Sequence, residues 1–160
     1  MSSLPGSESG AALKQDARNN LARAYLAGVL IRMGNDEEAE RELKALLASD
    51  PGDYRCRGNL AGLYRKRGKI ETATAEMKEA VEAPPTCAAG WHNLEQLYGE
   101  RRQWVAADAA LRKSVGLDRK RPLAHFHLAF VLRVLVKTAE VDREMRIAVE
   151  LDPSLARRPR

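Results

Sequence analysis

The sequence repeats itself every 34 residues, and that period constrains the fold more than any other feature. Trp91, Leu94 and Tyr98 stand at i, i+3 and i+7, so they share one face of a helix, and Ala107 and Leu111 at i, i+4 mark a second. The same columns hold Arg57, Leu60, Tyr64, Ala73 and Met77 one period earlier, and Arg23, Leu26, Leu30, Ala39 and Leu43 two periods earlier. One period later they hold His125, Leu128, Leu132, Val141 and Met145. Pro51, Pro85 and Pro153 keep the same count, with Arg119 in the missing slot. A period of this length, with two helical stripes in each unit, predicts an array in which neighbouring helix pairs bury one another.

These columns resemble the tetratricopeptide repeat, whose pattern is W-x2-L-G-x2-Y, then A-x3-F, then P. The resemblance covers residues 20 to 153, as four units in unbroken register. It departs from the family where the Gly after the Leu is Ala27, Ala61, Glu95 and Ala129. It departs again between the helices of a unit, where Gly34 and Gly68 give way to Arg102 and Val136. The resemblance implies an all-α fold, a right-handed α-solenoid of antiparallel helix pairs. The expected organisation is a flexible tail over 1–10, a repeat domain over 11–153 and a basic tail over 154–160. The units fall at about 20–53, 54–87, 88–121 and 122–155.

Periodicity and capping signals place helices at 11 or 12 to 33, 36–49, 54–67, 70–83, 87–102, 104–117, 122–136 and 138–151. Asn35 or Asp36, Asp53, Thr86 and Thr138 are the expected N-caps, and Gly34, Pro84-Pro85 and Pro153 the stop signals. In helix two, Ala39, Leu43, Leu46 and Leu47 share a face, while Glu37–Arg41 and Glu40–Lys44 at i, i+4 read as a solvated one. In helix eight, Val141, Met145 and Ala148 make a narrow inner stripe that Glu140, Asp142, Arg143, Glu144 and Arg146 surround, the pattern of a terminal unit.

No catalytic constellation stands out: there is no Gly-rich phosphate loop, no nucleophile elbow and no zinc spacing. The expectation is a protein that is not an enzyme and takes neither cofactor nor metal. His125 and His127 are two apart on one helix and point in different directions, and His125 stands in the slot of Trp91 as a packing residue. Cys56 and Cys87 form no CxxC pair and read as ordinary thiols of a reducing cytosol. No stretch reaches 18 apolar residues and residues 1–10 do not read as a signal peptide, so the expected location is the cytoplasm, with no membrane insertion.

The resemblance further implies that the first helix of each unit lines a concave surface. Its rows here are Ala24, Gly58, His92 and Phe126; then Gly28, Gly62, Gln96 and Phe130; then Ile31, Arg65, Gly99 and Arg133. Glycines within these helices suggest either room for a ligand backbone or close helix packing. Arg55, Arg65, Lys66 and Arg133 would give a positive edge suited to carboxylates, over a floor of Phe126 and Phe130. The expected groove is therefore Arg55, Arg65, Lys66, His92, Gln96, Phe126, Phe130 and Arg133, and the expected partner a peptide or protein segment with acidic groups.

Two further readings follow from the residues. The chain has 27 Lys and Arg against 22 Asp and Glu, a net charge of +5. That charge admits nucleic acid or a ribonucleoprotein, yet the basic clusters are dispersed and aromatics for stacking are scarce, at 5%. Residues 126–136 are apolar nearly all round, interrupted by Arg133 and by His127, which suits either deep burial or a homodimer surface over helix 122–136.

Overall fold

A computed structural model describes residues 6–84 and 87–157, with side chains from residue 19 onward. Eight helices follow one another: α1 Gly6–Met33, α2 Asp36–Ser49, α3 Tyr54–Lys66, α4 Ile70–Glu82, α5 Ala88–Glu100, α6 Trp104–Leu117, α7 Pro122–Val134 and α8 Thr138–Leu151. A short 3₁₀ turn, Pro153–Arg157, closes the array. Among the described residues there is no strand. The chain is an all-α solenoid in which each helix packs chiefly on its neighbours in sequence. The expected boundaries hold to within two residues except at the start of α1. That helix begins at Gly6, inside the expected tail, while residues 1–5 lie outside the described part.

The turn inside each helix pair has one geometry, used four times. The amide of Asn35 bonds the carbonyl of Leu30, and Lys69, Gln103 and Lys137 do the same to Tyr64, Tyr98 and Leu132, at 2.8–2.9 Å. Such a six-to-one bond requires a left-handed residue just before its donor. Gly34 and Gly68 fill that place at φ 81° and 73°; Arg102 and Val136 fill it at 56° and 60°. The links after α2, α6 and α8 also recur. Asp50, Asp118 and Asp152 each accept, through Oδ1, the amide two residues on. Side chains of this type form such turns readily.

Most of the predicted columns lie in the core, but Leu26, in the column of the buried Leu60, Leu94 and Leu128, is exposed. Ala39, Ala73 and Ala107 are fully buried with Leu43 and Leu111, which lets the helices approach closely. Of the expected caps, Asp53 serves as predicted, accepting from the amides of Arg55 and Cys56. Asn35 makes no side-chain cap bond, and Thr138 lies inside α8 behind an N-cap at Lys137. Thr86 lies outside the described residues; Cys87 holds the N-cap position of α5, its sulfur accepting from the Gly90 amide. Burial, and then Asp53, push the Cys56 thiol up to about 12.

Three expectations about surfaces need correction. Glu40 is not simply solvated: it accepts from Lys44, from the Tyr64 hydroxyl at 3.0 Å and from Arg67, so it joins α2 to the next pair. Its counterpart two periods on, Asp108, is buried and takes Arg112 at 2.7 Å and Lys137 at 2.6 Å. Glu144 is not an outer-face cover either; it is buried, 2.7 Å from His125 Nδ1, while His125 Nε2 meets the Arg119 carbonyl at 3.0 Å. The expected C-terminal tail folds back as the 3₁₀ turn and inserts Leu155, which is fully buried; residues 158–160 lie outside the described part. Helix α7 is two-faced: Leu128, Ala129, Val131 and Leu132 are buried, whereas Leu123, Phe130 and Val134 are exposed.

Candidate functional site

The first helices of the pairs carry the expected groove residues, and the structure divides these into separate neighbourhoods. Between α3 and α5 a recess of about 150 Å³ is lined by Gly58, Gly62, Arg65, Asn93 and Gln96 above Met77 and Leu97. A Cβ built on Gly58 or Gly62 meets nothing within 4 Å, so these glycines do not serve close packing of the protein on itself. They leave an open wall. At Gly99 a Cβ would stand 3.8 Å from Glu95 and from Trp104, an ordinary contact.

Arg65 reaches this recess but is already engaged. Its Nε and Nη2 lie 2.6 and 2.5 Å from one oxygen of Glu100, and Nη1 lies 3.3 Å from the Gln96 side-chain oxygen. Lys66 points away to Asp36 at the start of α2, 2.8 Å distant. Arg55 lies 3.8 Å from Asp53 near the other end of α3. Ten residues of helix separate it from Arg65, a rise of about 15 Å. The three cations do not form one continuous edge.

Phe126 and Phe130 diverge as well. Phe126 lines a hollow of about 540 Å³ with Arg133, Val141, Met145, Val149 and Leu155, between α7, α8 and the final turn. Phe130 leans edge-on against Trp104, ring centres 6.1 Å apart, and the Arg133 guanidinium sits 5.6 Å from its centre. An arginine so placed is attracted by the ring's negative face.

His92 does not line an open wall. It is 7% exposed, its ring stacks on His127 with centres 4.8 Å apart, and its Nδ1 has no hydrogen-bond partner. Burial, and then the neighbouring His127, hold it below the ordinary imidazole range. His127 Nδ1 lies 3.1 Å from a carboxylate oxygen of Glu95, which is buried. Sequence reasoning missed Glu95, Glu100 and His127 as site residues. The one signal was Glu95 itself, a carboxylate in a column that otherwise holds alanine.

Two profiles described as "Tetratricopeptide repeat" match residues 9–53 and 54–87. The chain belongs to the tetratricopeptide repeat family. Solved structures of the same fold include MamA, at TM-score 0.76 and 16% identity, over 93% of this chain and 87% of that one. YrrB, described as a TPR protein with an unusual peptide-binding site, gives 0.76 at 17% identity over 90% and 74%. PilF of Pseudomonas aeruginosa gives 0.75 at 21% over 88% and 65%. No curated protein matches the chain by sequence. Among the described residues no helix is long and apolar enough to cross a membrane. The tetratricopeptide repeat is generally an interaction module rather than a catalyst, and this fold supports a role in protein–protein contact.

Proposed function

We propose that the protein is a non-enzymatic scaffold that holds an extended, acidic peptide or protein segment along the wall of α3, α5 and α7. The observation that carries this reading is the recess beside Gly58 and Gly62. The glycines lower the wall where nothing of the chain's own fills the space, and Arg65, Asn93 and Gln96 stand around it with hydrogen-bonding groups. YrrB, a protein of the same fold with a peptide-binding site, is consistent with it. Arg133, held over Phe130, supplies a second cation two periods further along the wall.

The Glu100 carboxylate occupies the position on Arg65 that an acidic ligand would need. A peptide carboxylate therefore has to displace it, so Glu100→Gln should raise affinity for acidic peptides several-fold. Arg65→Glu combined with Arg133→Glu should abolish binding with helicity unchanged. The measurement is fluorescence polarisation on length-matched acidic, neutral and basic peptides. Equal binding of all three classes, or an acidic preference untouched by the double charge reversal, removes the wall as the docking surface. The dispersed cations already paired to Asp36, Asp53 and Glu100 argue against a continuous track for nucleic acid.

A further inference from the structure

We propose that His92, Glu95 and His127 form a binding site for a divalent transition-metal ion of the zinc class, seated between α5 and α7. The site is independent of the peptide reading. The three side chains offer two imidazole nitrogens and one carboxylate oxygen, all within 4.8 Å of one another. His92 and Glu95 are three residues apart and share a face of α5. His127 reaches them from α7, its Nδ1 3.1 Å from Glu95. Zinc bonds to such ligands of about 2.0–2.2 Å give tetrahedral edges of about 3.4 Å. The trio therefore closes by a turn of His127, whose side chain is 30% exposed, onto two ligands already buried in α5.

Two observations beyond proximity point to an ion. First, His92 Nδ1 is buried and makes no hydrogen bond. A buried polar atom without a partner is costly, and a metal bond at this nitrogen would supply the partner. Second, the repeat register shows that the fold does not call for these residues. The columns of His92, Glu95 and His127 hold Ala24, Gly58 and Phe126; Ala27, Ala61 and Ala129; and Tyr25, Asn59 and Asn93 in the other units. Alanine at the Glu95 column is fully buried in each of those units, so packing alone is met by a methyl group.

The charges around the trio are one acid against one base. Glu95 is the acid facing the two imidazoles, and Arg121, acting on His92 from the start of α7, is the opposing positive charge. Two imidazoles and a carboxylate suit zinc and its first-row neighbours better than magnesium or calcium, which prefer all-oxygen sets. Three protein ligands leave a coordination position for water or for a side chain of a bound partner.

The test uses the full chain, stripped of metal and titrated with Co²⁺ and then Zn²⁺. The expected result is one equivalent bound, with the intense visible bands of low-coordinate cobalt, bleached by zinc, and a zinc-dependent rise in melting temperature. His127→Ala and Glu95→Ala should each weaken binding by more than tenfold and abolish the rise. Glu95→Ala restores the residue of the other three units, so the variant folds, and circular dichroism checks this. Cys87→Ser should leave binding unchanged. Absence of cobalt bands and of a thermal shift in the parent chain overturns the proposal. So does metal binding undiminished in both variants, which leaves the trio a polar clamp between α5 and α7.

Discussion

The first two helix pairs turn on glycine and the last two do not, yet all four turns close with the same hydrogen bonds. Gly34 and Gly68 reach the left-handed region freely. Arg102 and Val136 are forced into it, and for a β-branched valine that is a true conformational outlier. Packing of the antiparallel pair thus dictates the turn, and the local sequence either complies or bears the cost. Each joint in the second half stores about 1–2 kcal/mol that the first half does not. Leu132 and Leu111, fully buried on either side of these joints, show where the compensating burial lies.

That contrast can be broken most forcefully in the core. Leu43 and Leu111 occupy one column in different halves, and both are fully buried. Truncation of either to alanine should cost about 3 kcal/mol in urea unfolding. A much smaller loss at Leu111 would mean that the second half is loosely packed, and the turns would then follow a slack core instead of a demanding one. Next in size are the turns themselves. Val136→Gly should stabilise by about 1–2 kcal/mol and Arg102→Gly by about 1, whereas Gly34→Val should destabilise by a similar amount. Equal signs in both halves, read from urea midpoints, would remove the distinction.

The smallest effect concerns the acidic link of the first half, Glu40. Lys44, followed by Arg67, holds Glu40 down at about 2, below its ordinary 4.5. The folded-state value is depressed, so the stabilisation is fully present above pH 4.5 and is lost as pH falls towards about 2. Solvent screening keeps its size to about 1 kcal/mol or less. Glu40→Gln should lower stability by that amount above pH 6, change it little near pH 2, and so flatten the profile between. An unchanged acid limb in the variant would show that Glu40 carries none of it.

Period and columns made the helices, their order and most of the core readable, because burial in an array repeats with the sequence. What sequence did not disclose lies between units. Glu100 beside Arg65, Arg67 on Glu40 and His127 on Glu95 join residues 27 to 35 positions apart. Such pairings depend on which way side chains lean from adjacent helices, and a helical period says nothing of that. Glu144 is legible as polar but not as buried, since its partner His125 reads in the sequence as a packing residue. Leu155 sits in a segment with no periodicity, and only the hollow at the end of the array explains its burial.

Because every helix leans mainly on those beside it in sequence, the molecule is mechanically a row of links. Tension applied along the row is borne by each link in turn, with no shared centre to distribute it. Packing between one helix pair and the next is thinner than within a pair, so the seams between pairs are where such a row parts first.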